Sequence, residues 1–372
     1  EGKIFAIDNY VRLSAYDAKT GRGLWRTALA ISNERPEVGF GGGPAYDNKK
    51  VFVATGFGDV FALSPKDGAI LWRVKLGEPF RTPPTATDGR IYVTSVDNTL
   101  YALDQNDGKV LWNYHAITEG AHILSSTSPA VSGEVMVAPF SSGELVGFVA
   151  QNGHTTWSDS LTRTGRFSSI TALNDIAADP VIDNGWVFAI GHAGRLVAID
   201  LRSGQRIWSQ DIPGVETPWI AGEFLYLVTT NGEVLCIYRR DGAIKWMTQL
   251  KAYSDDSNKR PIVWQGPLLL GERLLLTSSK HNVAILSAKD GKPLGGFDID
   301  DQVFARPISA GGLVYVQTNE GALLAYGDPA LRRQAHASEP RTLHVAKPLP
   351  GELPKEKSAF FDLRVPNWVP VF

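Results

Sequence analysis

Short runs of alternating apolar and polar residues, separated by little more than turns, make up most of this chain. The clearest stretch runs from Arg90 to Trp112. In it, residues 91–94 and 100–103 flank a turn at Asp97-Asn98, and a second turn at Asp107-Gly108 leads into a run that opens with Trp112. A period of two predicts half-buried strands, because successive side chains of a strand face opposite ways. Gly108 suits the reversal because glycine accepts positive φ.

The phrase recurs. A turn glycine with tryptophan four residues later is found at Gly21/Trp25, Gly68/Trp72, Gly108/Trp112, Gly153/Trp157, Gly204/Trp208 and Gly242/Trp246, and a degenerate seventh copy has Gly291/Gly295. Successive glycines are 47, 40, 45, 51, 38 and 49 residues apart. A period of this size with about four strands per unit predicts an all-β chain, an eight-bladed β-propeller of four-stranded antiparallel blades. Full blades are expected over 43–76, 83–115, 128–161, 179–212, 217–250 and 266–297, and an eighth copy over 306–326 stops before its glycine turn. Seven blades is the alternative count.

The two ends of the repeat are incomplete. Residues 1–8 match the second strand of other copies, so a first strand like 83–86 is missing, and the last copy lacks its fourth. Those two strands are consecutive in the repeat. One segment upstream of the chain shown would supply both, unless the C-terminal tail takes its place; either arrangement removes exposed strand edges. The propeller is therefore placed at 1–326. Residues 327–372 hold seven of the chain's 22 prolines and read as an extended strap or linker. Their apolar end, from Phe360, is expected to dock on this chain or on a partner. Three joining segments exceed the rest: 29–43 with its glycine cluster, 162–178, and 251–265 with Asp255-Asp256. On such a scaffold long loops are the usual carriers of function.

Composition adds exclusions. A net charge of −2 argues against a nucleic-acid partner, which selects for a basic stripe. Cys236 is the single cysteine, so no internal disulfide and no multi-cysteine metal or haem site can form. No apolar run is long enough to span a membrane as a helix. Searches for H-E-x-x-H, G-x-S-x-G, G-x-x-x-x-G-K-[ST] and G-x-G-x-x-G opening a helix find nothing, and the seven histidines show no ligand spacing. No catalytic residue, metal site or cofactor is expected. Trp25, Trp72, Trp112, Trp157, Trp208 and Trp246 could line a stacking surface for a ligand. They recur with the fold instead of gathering at one place, which predicts that they dock one blade on the next.

The phrases L-Y-A-L-D-Q-N-D-G-K-V-L-W (100–112) and L-V-A-I-D-L-R-S-G-Q-R-I-W (196–208) resemble the repeat of quinoprotein-type propellers, with its docking tryptophan; one branch of these uses pyrroloquinoline quinone (PQQ). WD-repeat proteins match less well, since none of the six tryptophans is followed by Asp. The PQQ-dependent dehydrogenases of this superfamily carry a vicinal cysteine pair that this chain cannot make. Residues 165–208 are similar to the other branch, the BamB family of outer-membrane assembly lipoproteins, and the resemblance covers residues 1–326 but not the tail. It implies a non-catalytic scaffold at the periplasmic face of the outer membrane of a Gram-negative bacterium. It also implies an N-terminal lipid anchor, absent from this chain, and contact with the POTRA domains of BamA and with unfolded outer-membrane proteins. Family members use two neighbouring inter-blade loops. The pattern Leu-x-Asp-x-Asp before Thr-Thr-Pro falls on Leu173 to Ala177, where Asp175 is kept and Ala177 stands for the second acid. The pattern apolar-x-apolar-Arg falls on Ala121 to Leu124, where Ile123 fits and Leu124 stands for the arginine. Ile123, Leu124, Leu173 and Asp175 are the expected partner contacts. A PQQ-dependent dehydrogenase and another periplasmic adaptor are the competing readings.

Overall fold

A computed structural model of the chain describes residues 2–31, 39, 41–117, 127–162, 176–192, 194–255, 259–319, 321–327 and 343–345. Among these, every regular element is a strand, and the strands form eight small sheets, the blades of an eight-bladed β-propeller. The second sheet shows the common plan: Ala45–Asp47, Lys50–Ala54, Asp59–Leu63 and Ile70–Lys75 pair in that order, each antiparallel to the one before. The third to seventh sheets repeat it over 85–115, 130–160, 181–210, 219–249 and 264–298.

Burial differs along each sheet in a way that alternation alone does not convey. In the second sheet, the second and third strands (K-V-F-V-A and D-V-F-A-L) are buried on both faces apart from Lys50. The corresponding strands of the third sheet, Arg90–Thr94 and Thr99–Asp104, are largely buried on both faces too, and are not the half-buried strands expected. Within each group of packed sheets, an inner sheet has a neighbour against either face. Val51, Val53 and Phe61 pack towards the first sheet, while Phe52, Ala54, Val60 and Ala62 pack towards the third. In the third sheet the fourth strand does keep the period-two pattern, V-L-W-N-Y-H of Val110–His115.

The sheets fall into two compact units, the first three with the strand Leu343–Val345, and the remaining five. In the first sheet, Lys3–Ile7, Arg12–Asp17 and Gly23–Ala28 are antiparallel, and Leu343–Val345 runs parallel beside Gly23–Ala28. The tail strand thus lies at the edge opposite to Lys3–Ile7. This sheet departs from the all-antiparallel plan for that reason. The eighth sheet holds three described strands, Ile308–Ala310, Leu313–Gln317 and Leu323–Tyr326.

Candidate functional site

The repeated tryptophans sit at one equivalent place in the first six sheets, on the strand that follows each turn glycine. The Trp25 indole N–H donates to the carbonyl of Pro65 (3.2 Å), Trp72 to Gln105 (3.0 Å), Trp157 to Leu201 (2.9 Å), Trp208 to Arg239 (2.7 Å) and Trp246 to Ala288 (3.2 Å). Each acceptor lies three residues before the turn glycine of the following sheet. That glycine carries the ring: a Cβ on Gly68, Gly108, Gly204, Gly242 or Gly291 would meet the preceding sheet's tryptophan at 2.4–2.8 Å. A carbonyl has two lone pairs, and a second donor often fills the other. Lys3 Nζ reaches Pro65 O, Lys50 Nζ reaches Gln105 O, and the Tyr226 hydroxyl reaches Ala288 O. Trp112 packs its ring beside Tyr92 of its own sheet, with centroids 5.9 Å apart.

The four expected partner contacts, Ile123, Leu124, Leu173 and Asp175, lie outside the described residues. What is described is where the chain resumes. Thr127 and Ser128 follow the first segment, Ile176 to Asp179 follow the second, and Thr127, Ile176 and Ala178 are buried. The Ser128 backbone N–H donates to Asp179 Oδ1 at 2.7 Å, and the Asp179 backbone N–H donates to Thr217 Oγ1 at 3.0 Å. Ser128, Asp179 and Thr217 stand at the starts of the fourth, fifth and sixth sheets, each directly before a proline. Proline removes one backbone donor and biases the residue before it towards extended backbone. The polar residue before it then reaches across to the neighbouring sheet.

The same layer continues through Glu216. Its carboxylate accepts the Gly266 backbone N–H at 3.3 Å and lies 3.7 Å from Arg306 Nε. With its amide nitrogen turned inwards, Gln265 donates to Glu216 Oε1 (2.9 Å) and to the Phe304 carbonyl (3.3 Å). Burial pushes the Glu216 carboxyl up to about 7, against the pull of Arg306 and the Gly266 amide. Asp179 is also raised by burial, although the Ser128 amide and Arg306 draw it down. Gly266-Pro267 and Arg306-Pro307 complete the series of residue–proline steps. That series was the signal in the sequence for this layer, and the search for catalytic motifs passes over it because its residue types vary. Among the described residues, no group of three or more His, Cys, Asp or Glu side chains could hold a metal ion.

The profile of the family described as outer membrane protein assembly factor BamB matches residues 9–248. The chain is 25% identical to the assembly factor BamB of Moranella endobia over 328 residues, covering 87% of this chain and 82% of that protein. It is 26% identical to BamB of Escherichia coli K12, covering 86% and 81%. The crystal structure of BamB from Moraxella catarrhalis superposes with a TM-score of 0.72 at 17% identity, over 88% of this chain and 92% of that one. A computationally designed protein, Ika8, superposes at 0.64 with 13% identity. Identities this low show a shared fold for the two solved structures and nothing finer.

Proposed function

This chain belongs to the family of the outer membrane protein assembly factor BamB, and from that premise we propose that it is a non-catalytic periplasmic scaffold of the β-barrel assembly machinery. It binds the POTRA domains of BamA through the inter-blade segments around residues 121–124 and 173–177. The observation that carries this reading is the family match over residues 9–248, which spans both segments. Beyond the two segments, the Ser128 backbone N–H donates to Asp179 Oδ1 at 2.7 Å, within the second unit. A rigid set of sheets joined by loops suits the holding of a partner, with a few central contacts supplying most of the affinity.

The test is a titration of purified POTRA region with the double variant Asp175→Arg, Ile123→Asp. Affinity is expected to fall by tenfold or more, about 1.4 kcal/mol or above, with the circular dichroism spectrum unchanged. Wild-type affinity in a folded double variant would defeat the assignment of these segments. Incubation with pyrroloquinoline quinone and calcium, followed by a dye-reduction assay, separates the scaffold from the dehydrogenase reading; turnover would favour the latter.

A further inference from the structure

We propose that the cleft between the seventh and eighth sheets is a docking site for an aromatic side chain of a partner polypeptide, which takes the seat that a tryptophan fills elsewhere in the second unit. The residues of this site lie between 269 and 327, apart in sequence from the segments around 121–124 and 173–177.

Between neighbouring sheets of the second unit the fold repeatedly seats an indole. Trp157, Trp208 and Trp246 each donate the ring N–H to a carbonyl of the following sheet, at 2.7–3.2 Å. Trp208 and Trp246 also lie over a ring of their own second strand, Phe188 and Tyr226, with centroids 6.1 Å apart in both pairs. At the seventh sheet both rings are replaced. Gly295 stands where the tryptophan would be, and a Cβ there would meet nothing within 4 Å. Leu275 stands where Phe188 and Tyr226 do, across from Ile285, which in turn faces Gly295. Leu275 belongs to the apolar cluster that also holds Leu270, Val314 and Tyr326. Those last three line a cleft of about 540 Å³. That volume falls within the roughly 300–1,000 Å³ typical of binding sites.

The rest of the lining favours a side chain on a polypeptide over a free molecule. Gly271, in the hairpin turn of the seventh sheet, and Gly311 and Gly312, in that of the eighth, border the cleft with φ of +60°, +59° and +79°. A methyl group added to any of the three would meet nothing within 4 Å, so the cleft opens here. Turns without side chains let a second backbone approach closely. Inside, an incoming ring can pack on Tyr326, which is held from behind by Phe297 with centroids 5.0 Å apart. Aromatic pairs gain from offset and edge-to-face geometry beyond the area they bury, which favours a ring over an aliphatic side chain. A single ring sunk between sheets, with main chain along the rim, is the kind of anchor that supplies most of an interface's affinity.

The experiment follows the backbone amide resonances of the isotope-labelled full chain during titration with the capped peptide Gly-Gly-Trp-Gly-Gly, and in parallel with the same peptide carrying leucine for tryptophan. The tryptophan peptide is expected to shift Gly311, Gly312 and Tyr326, and to bind about tenfold tighter than the leucine peptide. Ser309 lines the cleft from an exposed position, so Ser309→Trp plugs it with a ring of the chain's own. That variant is expected to lose tenfold or more in affinity for the tryptophan peptide, with its circular dichroism spectrum unchanged. Should Ser309→Trp fail to fold, Tyr326→Leu, which removes the ring that the incoming side chain packs on, is expected to weaken binding about fivefold. Equal affinity for the two peptides, shifts confined to residues away from the cleft, or wild-type affinity in a folded Ser309→Trp or Tyr326→Leu variant overturns the proposal. Free indole binding more tightly than the peptide would assign the cleft to a small aromatic molecule. Self-association of the wild type that Ser309→Trp abolishes would assign it to a second copy of this chain. Either result also overturns the proposal.

Discussion

The turn glycines show how much one residue can be asked to do. Gly204 has φ +71°, a conformation that costs an L side chain about 1–2 kcal/mol, and its α-carbon is also the floor beneath Trp157. Gly222 has φ +56°, and a methyl group added there would meet nothing within 4 Å, so only the first demand applies. Gly222→Ala is therefore expected to cost about 1 kcal/mol. Gly204→Ala adds a clash at 2.5 Å with the Trp157 ring and is expected to cost about 2–5 kcal/mol in urea unfolding. Equal losses at the two sites would refute the role of Gly204 as a packing surface. The reversal requirement was legible at every copy from the glycine and its spacing. The second requirement was not, because the ring that rests on each glycine comes from the preceding sheet, some 43 residues earlier in the case of Gly68 and Trp25.

At the level of strands, the tryptophan has a partner on the strand beside it. Trp25, Trp72, Trp112, Trp157, Trp208 and Trp246 stand opposite Ala15, Ala62, Ala102, Gly147, Ala198 and Cys236. Each of these small residues precedes a break in register. A Cβ on Gly147 would meet Trp157 at 2.4 Å, so the small residue makes room for the ring. In the seventh sheet Gly295 stands in the tryptophan's place opposite Ile285, and a Cβ added there would meet nothing within 4 Å. Trp208 is 9% exposed and its N–H bond crosses to the sixth sheet, so Trp208→Ala is expected to cost about 3–5 kcal/mol by chemical denaturation. A loss below about 1 kcal/mol would leave the ring as a surface feature. The strand edges tell a different story. The tail strand Leu343–Val345 lies parallel against Gly23–Ala28, which no repeat count could place, since its proline-rich setting carries no repeat phrase.

For the molecule as a whole, the buried layer at the starts of the sheets links stability to pH. Glu216 titrates at about 7 in the folded chain and at about 4.5 when unfolded, so the folded state holds this proton more tightly. Its contribution, about 3 kcal/mol at most, is complete below pH 4.5 and is lost as pH rises through about 7. Glu216→Gln removes this dependence. The variant is expected to melt higher than wild type at pH 8, and the difference is expected to shrink or reverse at pH 5. Parallel melting curves from pH 5 to pH 8 would show that Glu216 does not titrate in this range. The layer itself is assembled from residues 128 to 306, and no local pattern reports which of its polar groups meet.

The period of the chain, its strand content, its eight blades and its family were all decided by the sequence, because each blade is a local meander whose turns and apolar runs lie within about 45 residues. The family's contact patterns could likewise be laid on Ile123, Leu124, Leu173 and Asp175 from the sequence alone. Packing between sheets was decided only in three dimensions: which carbonyl receives each indole, why a second strand buries both faces, and how Asp179 joins Ser128 to Thr217. The physical reason is the same in each case. A strand's own residues set its pairing with the next strand, but the face it turns to a neighbouring blade meets side chains tens of residues away, and burial and hydrogen bonding there depend on both.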